Sequence, residues 1–258
     1  MNIAGKNIKS KIKNITIRCF AELNDFLPAE KRQKSFSLSV KEPVTISEVI
    51  QMLGIPLSEV DLVTVNSKPV SRSYKLLDKD IMSVYPTFET FDITGIKTTR
   101  QPIRVSKFIL DAHLGKLSRY LRMLGFDTLY KNDYGDDEII AIAEEQNRII
   151  LTRDKLLLRS PQVSHGYFIR ATEKHEQLIE VVKKFDLYSQ FKSFTRCMTC
   201  NNPLVSISKE TIRNRLDENI VNSFDEFYHC SLCDKIFWKG SHFEHMEQLI
   251  LEIIKRKY

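Results

Sequence analysis

The sequence predicts an α/β protein in three parts, and three observations carry that prediction. Residues 14–90 change period in the order strand, strand, helix, strand, strand. From Phe108 onward short apolar runs alternate with helix-like segments, and four of the five cysteines form two C-x2-C pairs near the C-terminus. The composition supports a globular chain: of 258 residues, 42% are hydrophobic and 28% charged, which excludes global disorder and fibrous repeats. Much of the net charge of +6 comes from Lys6, Lys9, Lys11 and Lys13 and from Lys255, Arg256 and Lys257, so charge alone is a weak pointer to nucleic acid. The first twenty residues lack the apolar core of a secretion signal and no window approaches a membrane span, so a cytoplasmic, membrane-free protein is expected.

After a basic arm (1–13), NITIRCF (14–20) and SFSLSV (35–40) alternate as strands do, with Cys19 on the inward face. Thr45 and Glu48 have capping-box spacing. Ile46, Val49, Ile50 and Leu53 share a helical face, and Gly54 is placed to end the helix. Strands are expected again at 62–66 and 80–85, and this order is that of a β-grasp domain over 14–90. The run VDLVTVNSKPVSRSYKLLDKDIMSVYP resembles the second half of ubiquitin-like sulfur carriers. Those proteins need a free diglycine terminus, whereas this chain continues through PTFETFDITG with a lone Gly95, so sulfur transfer is not expected. Residues 91–107 read as a connection.

The next part reads as strand 108–110, helix 114–124 ended by Gly125, strand 127–130, helix 137–146, strand 148–152, a short helical segment LLLRS, strand 166–170 and helix 172–185. Such alternation implies parallel βαβ units in a doubly wound sheet. Sites in open α/β sheets form beyond the carboxyl ends of the strands. Asp111 ends the first strand, Asp154 follows the third, and NDYGDD supplies Asp133, Asp136 and Asp137 in between. Converging carboxylates call for a hard cation, Mg²⁺ or Mn²⁺, and a site of that kind suits phosphodiester hydrolysis. Lys116, Arg119 and Arg122 recur every third residue on a helix whose Leu114, Leu117, Leu121 and Leu124 take the opposite face, which offers a basic flank to a polyanion. Taken singly, each acid is an ordinary cap or turn residue and the basic face an ordinary solvated surface; the combination is what points to a site.

Cys197, Cys200, Cys230 and Cys233 place four thiolates in a reducing compartment at the spacing of a structural Zn²⁺ site, with residues 201–229 between the pairs. The interval has room for a helix or hairpin around 208–216. His229, His242 and His245 lie close by and read as surface or polar-contact residues. Phe227, Tyr228, Phe237, Trp238 and Lys239 interleave in this segment, either as the small core of a ribbon or as a surface that stacks on bases and meets phosphate.

FILDAHLGKLSRYLRMLGFDTLY, NDYGDDEIIAIAEEQNRIILTRD and the cysteine segment resemble the Mut7-C family, a PIN-like ribonuclease domain with a zinc ribbon, here preceded by the ubiquitin-like module of one branch of that family. The resemblance implies a PIN-like domain over 108–190 and a zinc ribbon with a C-terminal helix over 191–258. It implies metal-dependent RNA cleavage in which Asp111, Asp136 or Asp137, and Asp154 act as the family's acids, with Asp133 the candidate for a fourth. Thr152 and Arg153 complete its TRD motif. The partners expected are RNA, structured or tRNA-like species included, contacted by Lys116, Arg119, Arg122, Thr152 and Arg153, and a protein docked on the β-grasp module. The alternative is a non-catalytic RNA-binding adaptor using the ribbon and the basic helix.

Overall fold

Alternation of inward and outward side chains starts the first sheet: along β1 (Ile12–Cys19) Lys13, Ile15, Ile17 and Cys19 are buried and the residues between them are not. The computed structural model describes residues 12–86 and 106–257, so Lys6, Lys9, Lys11 and most of the 91–107 connection, Gly95 included, lie outside the described residues. The chain groups into two compact units, one of 12–86 with 154–167, the other of 106–153 with 168–257.

In the first unit β1 is followed by β2 (Phe36–Lys41), α1 (Ile46–Met52), β3 (Val60–Val65), β4 (Lys68–Pro69) and β5 (Ile81–Pro86). The sheet order is β2-β1-β5-β3-β4, with β1 and β5 parallel and the other pairs antiparallel, a β-grasp arrangement. The Thr45–Glu48 capping box starts α1, and Gly54, at φ +72°, follows its end. Asn66 and Ser67 both take positive φ in the two-residue turn between β3 and β4, as a type I′ hairpin requires. The D-x-D of LLDKDIM also has a structural cause: Asp78 accepts from Asn14 N, and Asp80 accepts from Leu77 N and Asn66 Nδ2. Burial pushes the Cys19 thiol up to about 12, which makes it a packed apolar group rather than a reactive one.

The second unit carries β6 (Lys107–Leu110), α2 (Gly115–Met123), β7 (Asp127–Tyr130), α3 (Asp136–Gln146) and β8 (Ile149–Thr152). After α4 (Lys155–Leu158), which belongs to the segment grouped with the first unit, come β9 (Gly166–Phe168) and α5 (Lys174–Lys184). The four-stranded sheet has the order β7-β6-β8-β9, and β6 is parallel to both neighbours. Phe108 to Leu110 and Ile149 to Leu151 are uninterrupted apolar runs, as strands covered on both faces must be. Leu117 and Leu121 of α2, Ile139 and Ile140 of α3 and Leu178 and Val182 of α5 are buried to cover them. Gly125 ends α2 at φ +95°, where a Cβ would strike the carbonyl of Lys192, so only glycine fits.

The ribbon forms an antiparallel sheet β10-β11-β12 from β10 (Val205–Ile207), β11 (Phe227–His229) and β12 (Ile236–Trp238). The interval between the cysteine pairs holds α6 (Lys209–Ile212) and α7 (Glu218–Ser223), and α8 (Ser241–Lys255) ends the chain. No helix among the described residues is long and apolar enough to cross a membrane.

Candidate functional site

The chain leaves β6 toward β7 on one side and returns to β8 on the other, so the strand order reverses between β6 and β8. Connections diverge at such a switch point and open a crevice beyond the carboxyl ends. Asp111 follows β6 at that place and is 7% exposed. Its Oδ1 accepts the amide of His113 at 3.0 Å and so caps a short 3-10 turn; its Oδ2 accepts the Thr152 hydroxyl and, at 3.1 Å, the amide of Arg153. A buried carboxylate is costly unless paired with donors in this way, and three of them hold it in one rotamer.

Arg153 is held in turn by the carbonyls of Ile169, Arg170 and Ala171. Glu180 of α5 accepts the amides of Arg170 and Ala171, and Gln177 donates to Ala171 O. A chain of contacts therefore runs from α5 through one loop to the Asp111 carboxylate. Glu180 and Gln177 were not singled out by sequence, where they read as polar residues of an amphipathic helix. On the other side Tyr130 donates to Ala112 O at 2.9 Å, and its ring fills the space that a side chain at Gly115 would need.

The structure assembles the expected site residues only in part. Asp111, Thr152 and Arg153 come together. Asp136 and Asp137 open α3 beyond the carboxyl end of β7, both exposed, and Asp133 is exposed in the loop before them. Asp154 falls in the first unit and caps α4 through Leu156 N. Lys116 and Arg119 are exposed on α2 as expected. Three residues expected at phosphate have structural partners here: Thr152 is fully buried with its hydroxyl on Asp111, Nη1 of Arg153 is engaged by three carbonyls, and Arg122 is 3% exposed. Arg122 donates to Thr128 O at 2.9 Å and to the carbonyls of Met198 and Thr199, so it clamps the first cysteine knuckle to the sheet.

The four Sγ atoms of Cys197, Cys200, Cys230 and Cys233 lie within 4.8 Å of one another, the one such group of three or more metal-ligating side chains among the described residues. Sγ of Cys197 is 3.6 Å from that of Cys233, and Cys200 is 3.3 Å from Cys230. The two knuckles have the same construction. In each, the amide of the first cysteine donates to the carbonyl five residues on (Cys197 to Asn202, Cys230 to Lys235), and the residue after the second cysteine, Asn201 or Asp234, sits at positive φ and donates back. The thiols share their protons unequally: against the effect of burial, the amides of Cys233 and Leu232 and the neighbouring thiols draw Cys230 down, while burial raises Cys200 and Cys233. These four cysteines could hold a metal ion. His229 turns instead to Asp234, at 2.7 Å.

Asn201 and Asp127 also escaped the sequence reading. Asn201 accepts the amide of Thr128 and donates to Asp127, which receives Arg148 at 2.8 Å as well. Burial alone would raise the Asp127 carboxyl, yet the hydrogen bonds from Arg148 and Asn201 hold it below the usual range.

In comparisons with known proteins, a family model described as the Mut7-C RNAse domain matches residues 106–250, and one described as Mut7-C ubiquitin matches residues 12–92. A search of curated proteins finds no match.

Proposed function

This chain belongs to the Mut7-C family, and on that premise we propose that it is a PIN-like ribonuclease that hydrolyses RNA phosphodiester bonds beyond the carboxyl ends of its parallel sheet. The observation that carries this reading is Asp111, a buried carboxylate at the switch point between β6 and β8, oriented by Thr152, Arg153 and His113. Mg²⁺ is held by only one or two carboxylates, with waters and substrate phosphate completing its shell, so Asp111 with Asp136 or Asp137 suits it or Mn²⁺ without a cage of acids. When bound, the ion would acidify a water for attack at phosphorus and offset charge on the phosphoryl oxygens. Thr152 and Arg153 keep the Asp111 carboxylate from rotating, and Lys116 and Arg119 offer exposed cations to the RNA backbone.

The cysteine centre is read as a structural Zn²⁺ site. A tetrahedron with Zn–S of about 2.3 Å has edges of roughly 3.8 Å, between the 3.3 Å of the Cys200–Cys230 pair and the 4.8 Å within which all four sulfurs lie. Four thiolates close the shell to water. Free paired thiols of this kind suit a reducing compartment, the cytoplasm.

The test is to incubate the purified chain with mixed cellular RNA, with and without Mn²⁺, and to map the new ends. Asp111→Asn, verified as folded by circular dichroism, should remove cleavage; undiminished cutting by that variant would sink the site. One observation favours a second reading, a non-catalytic RNA-binding adaptor with the ubiquitin-like domain docking a protein: no three carboxylates of the described residues share a metal-sized cluster. RNA binding without cleavage in either metal would select it.

A further inference from the structure

The aromatic residues of the ribbon divide into two sets. Phe227 is core, 1% exposed, and with Ile212, Val221, Ile250 and Ile253 it supplies the buried apolar side chains of this part of the chain. Tyr228, Phe237 and Trp238 are half-buried, and with Phe194, Phe243 and Met246 they wall a cleft of about 380 Å³. That is within the range of ligand pockets; the lining is mainly apolar, with Arg196, Lys239 and Glu247 as its charged members.

Phe194 takes φ +61°, a left-handed conformation that disfavours a bulky side chain. Its amide donates to Met123 O at 2.8 Å, and its ring lies 4.2 Å from that of Phe243 with 37° between the planes. Strain of this sort persists where the surroundings enforce it, and it gathers at sites that bind. Here it aims a ring into the cleft.

A second cleft, of about 440 Å³, shares Thr195 and Arg196 with the first and is also lined by Lys107, Lys192 and Asp127. Asp127 is matched by Arg148 and Asn201 and also pairs with Arg196 at 3.8 Å, so Lys107 and Lys192 leave this trench cationic. Flat rings beside a cationic trench are the chemistry that holds an unpaired base and its flanking phosphates, because every base has a π-face and every linkage a charge.

We propose that slot and trench together are an anchor for single-stranded RNA, with one base received in the cleft that Phe194, Tyr228 and Trp238 line and the phosphates on Lys107 and Lys192. The anchor lies at the amino edge of the sheet, the end opposite Asp111: β6 begins at Lys107 and stops one residue short of Asp111, about 13 Å further on at the usual strand rise. The inference rests on the reading that this chain acts on RNA, and it is independent of whether it cleaves.

Trp238 is the single tryptophan of the chain, so it reports the slot directly. The full chain, metal-loaded and without Mg²⁺ or Mn²⁺, is titrated with a fluorescein-labelled unpaired RNA ten-mer; anisotropy reads total binding, and an unlabelled copy reads tryptophan emission. The expected result is quenching of Trp238 that follows the anisotropy curve, is absent with the same sequence in duplex form, and shifts about ten-fold to weaker binding in Lys192→Glu. The variant's melting temperature serves as the control for folding. Binding by anisotropy with unchanged Trp238 emission would overturn the anchor while leaving the RNA-directed function standing. Quenching by an acidic peptide but not by RNA would make the cleft a protein-docking site. Quenching by RNA with no cleavage in Mn²⁺ would support the anchor and remove the proposed nuclease activity instead.

Discussion

Replacing Arg122 by alanine separates its structural role from the phosphate-binding role that its spacing on α2 implies. The guanidinium is buried and gives one hydrogen bond to Thr128 O on β7 and two to the carbonyls of Met198 and Thr199 in the first cysteine knuckle. A hydrogen bond from a charged donor contributes about 1.5–3 kcal/mol, but the three share one cation and water enters to satisfy the freed carbonyls, so the expected loss is roughly 3 kcal/mol. For a unit of this size each kcal/mol moves the melting temperature by about 2–4 °C, which gives a decrease of roughly 6–12 °C. Thermal unfolding of the metal-loaded protein, followed by near-ultraviolet circular dichroism, measures it. Arg119→Ala, on the exposed face of the same helix, should stay within about 0.5 kcal/mol of the parent while weakening RNA binding. An Arg122→Ala protein that melts with the parent and loses RNA affinity would refute the clamp.

The cysteine centre is expected to hold one zinc per chain by atomic emission; stripping it with a chelator should unfold the ribbon, and Cys197→Ser should lower the metal content below one. Acid should loosen the sheet's amino edge through Asp127. Its carboxyl is lowered in the folded state, so its stabilisation is present above an unfolded value of about 3.9 and is lost as pH falls through the folded one. Melting temperatures of the parent and Asp127→Asn should therefore converge below about pH 4; a constant gap at all pH values would exclude this carboxylate as the cause.

Hydrophobic period and local chemistry made most of the fold legible. The inward faces of β1 and of α2, the Thr45–Glu48 box and the doubled C-x2-C are all short-range patterns, and each appears where it was expected. The candidate site was legible only where a pattern ended in a distinctive residue, as the apolar run of β6 ends in Asp111. Arg122 misleads because successive steps of three residues drift around a helix: at about 100° per residue it stands roughly 120° from Lys116, on the flank that faces β7 and the knuckle. Thr152 and Arg153 are visible as a motif, but their partner lies 41 and 42 positions away, and no periodicity encodes that pairing. Asn201 depends on a contact 73 residues back along the chain and leaves no local trace beyond its place after a cysteine pair. The two-residue strand β4 is too short to show a period at all.

Asp127 opens β7, and the residues that satisfy it come from two places: Arg148 ahead of β8, and Arg196 and Asn201 at the cysteine knuckle. Arg122 crosses the same seam in the other direction. A truncation near residue 190 would therefore not release a finished sheet and a finished ribbon. It would leave the amino edge of the sheet with Arg122 and Asp127 short of partners, so the sheet and the ribbon stand or fall in stability together.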